Sequence, residues 1–293
     1  MVTIIFVSPK YSSVIVVGAT GRIGRHVVNR LARAGRQVRA VARHPEPDRT
    51  GVAACPVDVG DPRAFKAVLE GADAIFLSLP PTLQTPELAR IGHDIARAGI
   101  STAVLLSSDL VQACPGSIMA VGHEREEATF GAALGESLVT LRPTVFMDND
   151  AIEWSASISD DAVVVTAFPD ARQAPIAPAD IAAEAVDALT SPACGSPTPR
   201  RLLGPQWLSI RERIAILGEV LGGPIGIREV SADEHRALLA RLLPEPIAAQ
   251  KVAMLGAAPR SIRDCPGLPP VEGRTPYSAW VAANTAAFGV GAT

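Results

Sequence analysis

Residues 14–24 read VIVVGATGRIG, and this stretch decides the fold. Val14, Ile15, Val16 and Val17 are β-branched and apolar in succession, the composition of a strand buried on both faces of a parallel sheet. Gly18, Ala19, Thr20, Gly21, Arg22, Ile23 and Gly24 follow, and the pattern then turns helical, with Ile23, Val27, Val28, Leu31 and Ala34 on one face. Strand, glycine turn and helix, in that order, are the setting in which a glycine motif signifies dinucleotide binding. Gly18 would permit the tight turn, Gly21 the approach of a pyrophosphate to the backbone, and Gly24 close packing of helix on sheet. The first amides of the helix would direct unpaired N–H groups at the phosphates.

Outward from this stretch, strand and helix alternate regularly to about residue 142. Strands are predicted at Gln37–Ala42, 52–57, 72–79, 103–107 and 137–141, with helices opening at Asp61-Pro62, at Thr85 and near Ile118. An acidic residue followed by proline suits the first turn of a helix. The alternation predicts an α/β fold with a doubly wound parallel sheet, whose ligands sit beyond the carboxyl ends of the strands. After Arg142 the pattern breaks into short strands, prolines and two helical patches at Ile210–Leu221 and 233–243, read as a smaller lobe.

Composition narrows the function classes. The 293 residues are 48% hydrophobic, enough for a large α/β domain plus a small lobe, and a net charge of −3 provides no basic footprint for nucleic acid. Cys55, Cys114, Cys194 and Cys265 are scattered without a C-x-x-C pair, which points to free thiols in a reducing, cytoplasmic compartment and away from a structural zinc site. No apolar run reaches the roughly 18 residues of a membrane span. Residues 1–12 are apolar at the start but lack a basic flank, and are read as an N-terminal extension rather than a signal peptide.

The glycine spacing, G-x-x-G-x-x-G, resembles the extended and atypical branches of the short-chain dehydrogenase superfamily. A ribose with a free 2′-hydroxyl is usually held by an acid about 20 residues past the glycine turn. Here the second strand ends in Ala42-Arg43, with no acid before Glu46. A guanidinium suits a 2′-phosphate, so NADP(H) is expected in preference to NAD(H), with Arg22 as a second candidate; solvated surface charge is the competing reading for both. Asp58 and Val59 sit where such folds contact adenine, although Asp58 would serve equally as a loop cap.

Catalysis in the superfamily commonly uses Tyr-x-x-x-Lys to move a proton as hydride moves. The pair is absent: neither Tyr11 nor Tyr277 has lysine four residues on, and the lysines are Lys10, Lys66 and Lys251. The helix after the fifth strand carries instead Gly122-His123-Glu124-Arg125-Glu126-Glu127. One reading makes His123 a proton donor oriented by Glu127 one turn on; the other makes them an ordinary i,i+4 surface pair. The acidic run from Glu124 to Glu127 is read mostly as a solvated face.

Taken together, these segments resemble the NmrA-like atypical short-chain dehydrogenases, particularly their NADPH:quinone oxidoreductase type. The resemblance rests on GATGRIG at 18–24, Arg43, Asp58, His123-x-x-x-Glu127 and Thr140-Leu-Arg-Pro-Thr-Val-Phe-Met-Asp-Asn149. It continues through Pro178-Ala-Asp-Ile-Ala182, Leu203-Gly204-Pro205 and Glu272-Gly-Arg-Thr-Pro-Tyr-Ser-Ala-Trp-Val281. It implies an NADP(H)-binding Rossmann domain over 13–147, with 162–206 adding strands and a helix, and a substrate lobe of 148–161 and 207–293. It also implies that Pro143, Thr144, Val145 and Phe146 lie along the nicotinamide, and that Ser78, Leu79, Pro80, Ser107 and Ser108 line the same cleft. Phe146, Asn149 and Trp154 are substrate candidates. With Phe168 and Trp207 the aromatic residues would suit a planar substrate, core packing being the alternative for each. Two function classes follow: a reductase of quinones or related conjugated carbonyls, polyketide-like aromatics among them, working as monomer or homodimer, or a non-catalytic NADP(H)-sensing regulator.

Overall fold

The computed structural model describes residues 13–191, 198–257 and 270–289; the expected extension at 1–12, Cys194 and Cys265 lie outside these. The first elements are β1 (Ser13–Val17), α1 (Gly24–Arg33), β2 (Gln37–Ala42), β3 (Val52–Pro56), α2 (Pro62–Leu69), β4 (Ala74–Leu77) and α3 (Thr85–Arg97). Next come β5 (Thr102–Leu106), α4 (Leu110–Ala113), α5 (Ile118–Leu134), β6 (Leu138–Pro143), α6 (Asp148–Asp161), β7 (Val163–Thr166) and β8 (Arg172–Gln173). The chain continues through α7 (Pro178–Thr190), β9 (Arg200–Leu203), β10 (Leu208–Ser209), α8 (Ile210–Leu221) and β11 (Gly226–Glu229). It closes with α9 (Ala232–Leu239), α10 (Glu245–Gly256), β12 (Val271–Glu272) and α11 (Tyr277–Ala283).

The main sheet has eight strands in the order β12-β9-β6-β5-β4-β1-β2-β3. From β3 to β6 every pairing is parallel, with Val16 opposite Ala40 on one side and Phe76 on the other. The order 3-2-1-4-5-6 is the doubly wound Rossmann arrangement that the sequence predicts. Its direction of winding reverses between β1 and β4, and ligands of such sheets bind where that reversal opens a crevice at the carboxyl ends.

Contacts divide the chain into two compact units: Met1–Ser107 with His123–Leu141 and Ile181–Arg200, and Ser108–Gly122 with Arg142–Asp180 and Arg201–Thr293. In the first, Ile15, Val17, Ile75, Leu77, Ala103 and Leu105 of the sheet pack with Phe65 and Leu69 of α2, Leu88, Ile91 and Ile95 of α3, and Phe130 of α5. Each fully buried Val, Ile, Leu or Phe among them contributes about 1.5–3 kcal/mol. Asp61 caps α2, accepting the Arg63 and Ala64 amides at 2.9 and 3.2 Å, as its place before Pro62 predicts. Gly92 brings α3 against α5, since a Cβ there would stand 2.9 Å from the Ala133 methyl.

The second unit has its own core, built from Met147, Trp154 and Ile158, from Ile210, Ile214 and Leu217 of α8, and from Tyr277, Trp280 and Val281 of α11. His235 is structural there: it is buried and its Nδ1 accepts the Ala167 amide. Polar braces join the motifs of this unit. Asp180 accepts the amides of Arg274 and Thr275 at 2.9 and 2.8 Å and the Thr275 hydroxyl at 2.9 Å. Gly204 admits a close backbone crossing, because a Cβ would fall 1.7 Å from the Pro175 carbonyl oxygen. No helix among the described residues is long and apolar enough to cross a membrane.

Candidate functional site

The glycine turn lies at the carboxyl end of β1. Gly18 has φ +75°, which glycine adopts without strain, and any Cβ there would meet the Ser78 carbonyl oxygen at 2.7 Å. The Gly18 and Ala19 amides donate to the Val41 carbonyl at 3.0 and 3.2 Å, tying the turn to the end of β2. Gly24 is demanded by the turn itself: its Cβ would fall 2.0 Å from the Gly18 carbonyl oxygen. Gly21 differs from both, being exposed and meeting only that same oxygen, at 3.1 Å. Helix α1 starts with neither a side-chain cap nor an acidic residue in its first turn, so its positive end is left for an anion. A cradle closed to side chains, opening on an uncapped helix start, fits a pyrophosphate.

Arg43 stands just past β2, exposed, and its guanidinium has no bond to another described residue. Arg22 is exposed in the turn. Asp58 caps its own loop, accepting the Gly60 amide at 2.8 Å. The Val59 side chain is buried in the core of the first unit, and its carbonyl accepts from Arg90 at 2.6 Å, so its structural duties are explicit.

At the ends of β4 and β5 stand Ser78, Leu79 and Pro80, and Ser107. Ser107 is 4% exposed, and its hydroxyl donates to Glu127 Oε1 at 2.5 Å. This corrects the expected pairing on α5. His123 Nδ1 pairs with Glu126 Oε2 at 3.2 Å, one residue short of the predicted partner, while Glu127 reaches the end of β5. Positions three and four residues on share a helix face equally well, so spacing alone could not choose between them. The acidic run is not a solvated face either: Glu126 is buried and Glu124 and Glu127 are half-buried.

The remaining candidates belong to the second unit. Ser108 accepts the Leu110 amide at the start of α4. The 143–146 segment is held from both sides: Pro143 accepts the Asp109 amide, Thr144 donates to Leu202 and Ala174, and Val145 accepts from Ile176. Phe146 and Asn149 are half-exposed, whereas Trp154 is buried, its ring 5.1 Å from the Arg213 guanidinium carbon. Arg213 bonds both Asp150 oxygens at 2.6 and 2.7 Å and Gln173 at 3.1 Å, and Tyr277 donates its hydroxyl to Asp150 at 2.7 Å. Burial raises the Asp150 carboxyl above its ordinary value, Arg213 and Tyr277 opposing it, and burial beside that carboxylate drives the Tyr277 phenol well above its own. Among the described residues no cluster of three metal-binding side chains occurs.

Residues 18–192 match the family model described as NAD(P)H-binding. The chain belongs to this family, on the NmrA-like atypical short-chain dehydrogenase side that its motifs resemble. A (4-alkanoyl-5-oxo-2,5-dihydrofuran-3-yl)methyl phosphate reductase of Streptomyces griseus is 33% identical over 290 residues, 94% of this chain and 99% of that protein. An NAD(P)H azoreductase of Xenophilus azovorans is 26% identical over 292 residues, again 94% and 99%. An NADPH-dependent quinone oxidoreductase of Escherichia coli, solved with NADPH, shares the fold with a TM-score of 0.70 at 22% identity, over 83% of this chain and 88% of that one. The family is one of NAD(P)H-dependent reductases, and the uncapped helix start and glycine cradle described above fit that nucleotide.

Proposed function

We propose that this protein is an NADPH-dependent reductase whose acceptor is a carbonyl compound conjugated to an electron-poor double bond, a quinone or an unsaturated lactone. The observation that carries the reading is that the sequence contains no Tyr-x-x-x-Lys motif. The Tyr277 hydroxyl is committed to Asp150 in a buried cluster, Lys66 pairs with Asp94 and Lys251 with Glu153. Reduction of an isolated carbonyl needs a proton donor positioned at the nascent alkoxide. Hydride added to a conjugated system leaves an enolate or phenolate, a stabilised anion for which positioning and charge supply much of the rate. The Streptomyces griseus relative, named for an unsaturated lactone phosphate, and the azoreductase support an acceptor of this electron-poor kind.

NADPH bound in the glycine cradle would supply the hydride. The backbone at Gly18 to Gly24 and the start of α1 would hold the pyrophosphate, and Arg43 would hold the 2′-phosphate. His123, 36% exposed and oriented by Glu126, can exchange its proton with solvent and deliver it to the product anion. Phe146 and Asn149, half-exposed, are the substrate-binding candidates of the second unit. A screen of NADPH oxidation against quinones, unsaturated lactones, enones and simple ketones tests the reading. Turnover confined to conjugated acceptors supports it, whereas NADPH binding without turnover of any acceptor would make the protein a sensor of the nucleotide.

Two variants probe the assigned roles. Arg43→Ala should weaken NADPH by about one to two decades, the worth of ~1.5–3 kcal/mol in charge-assisted bonds, and leave NADH unchanged. Calorimetric titration of both cofactors reads this, and equal losses would remove Arg43 from the phosphate. His123→Ala should lower turnover by about 10²–10⁴-fold with NADPH affinity intact, and Glu126→Gln should follow in the same direction. Full activity in His123→Ala would transfer proton delivery to water.

A further inference from the structure

The bond between Ser107 and Glu127 has no part in the roles assigned so far. Ser107 follows β5, with its amide on the Leu141 carbonyl at 2.8 Å, so both its backbone and its hydroxyl are held. Only β4 separates β5 from β1, which places Ser107 about two strand spacings, ~10 Å, from the glycine turn along the carboxyl edge of the sheet. That is the direction in which a dinucleotide anchored at β1 extends across the reversal point. Glu127 belongs to α5, one turn past His123, whose own partner is Glu126.

A free serine hydroxyl can donate or accept and rotates to suit its ligand, whereas an ionised carboxylate only accepts. With its proton committed to Glu127, Ser107 retains only its lone pairs for a ligand. We propose that Ser107 accepts a hydrogen bond from the carboxamide NH2 of the nicotinamide, and that Glu127 is the positioning residue that fixes this polarity. The inference rests on the NADPH reading above. The bonded pair makes the hydroxyl a dedicated acceptor, matched to a ligand group that offers N–H.

The test compares three ligands by calorimetry: NADP+, its 3-acetylpyridine analogue, in which a methyl replaces the amide NH2, and 2′-phospho-ADP-ribose, which lacks the nicotinamide. The wild-type protein should prefer NADP+ over the analogue by about tenfold, the worth of one hydrogen bond. Ser107→Ala should abolish the preference and Ser107→Thr should keep it. Glu127→Gln should abolish it as well, since the new amide can donate to the serine oxygen and turn its proton outward. The double variant should be no worse than either single one, as for residues acting as a unit. All variants should bind 2′-phospho-ADP-ribose like the wild type, which also shows that they are folded. Equal wild-type affinities for NADP+ and the analogue, or a preference that survives in Ser107→Ala or Glu127→Gln, overturn the proposal alone. Failure of the wild type to bind any of the three overturns it together with the NADPH reading.

Discussion

Asp150→Ala should destabilise the second unit by about 3–5 kcal/mol, because it strands a buried guanidinium. Arg213 is 2% exposed and takes its charge balance from the two Asp150 oxygens; its Nε has no partner among the described residues, and Gln173 supplies only a neutral acceptor. Tyr277, completely buried, would lose the acceptor of its hydroxyl in the same step. Urea denaturation followed by tryptophan fluorescence reads the loss, since Trp154 lies against Arg213 and Trp280 stacks on Tyr277 at 6.0 Å. Asp150→Asn, which keeps an acceptor, should cost less. The double change Asp150→Leu with Arg213→Met should recover much of the loss, because removing both charges removes the stranded one. A single-variant loss under about 1 kcal/mol, the range of exposed pairs, would mean that water reaches the pair.

What could be read in the chain before its structure follows from where apolar periodicity is clean. In β1, with Val14 to Val17 buried on both faces, and in α8, where Ser209 accepts the Glu212 amide in a reciprocal cap, sequence pattern and local structure coincide. The region beyond Arg142 holds more helix than its pattern announces. Helix α6 opens with Asp148 and Asp150 in its first turn, and Asp150 faces inward, so its buried stripe is broken by a charge and does not register as amphipathic. Helix α10 buries Ala248 and Val252 with few large apolar residues to mark a face. In β12 the sheet gains a strand of two residues, too short to show any period.

The site divides along the same line. The glycine turn is local, so its geometry follows from neighbouring residues and was legible. The partners of His123 and Glu127 depend on how α5 sits against the end of β5, and Ser107 lies 20 residues away from Glu127 in sequence. The Arg213–Asp150–Tyr277 cluster joins residues 63 and 127 positions apart, and no local pattern carries such a pairing. Trp154, an aromatic candidate for the substrate, is buried against that cluster, whereas Phe146 keeps part of its surface.

Gly21→Val should abolish NADPH binding while leaving the fold in place. The neighbouring glycines cannot make this distinction, because each answers a demand of the polypeptide. Gly18 has a left-handed backbone, and a Cβ on Gly24 would sit 2.0 Å from a main-chain oxygen, so substitution at either breaks the turn itself. At Gly21 the backbone is not left-handed, the residue is exposed, and the one obstacle to a Cβ within 4 Å is a carbonyl oxygen at 3.1 Å, far looser than the 2.0 Å at Gly24. Among the described residues nothing requires glycine there so strongly as a ligand passing against the backbone would. A branched side chain would fill the pyrophosphate space and cost two or more charge-assisted bonds, a loss of at least about 10²-fold in affinity. Calorimetry with NADPH gives the affinity, and circular dichroism with a thermal scan checks the fold. A folded Gly21→Val protein that binds NADPH like the wild type would mean that the turn serves the chain alone. A folded protein that has lost NADPH but still carries the Asp150–Arg213 stability signature would confine the damage to the cradle at the end of β1.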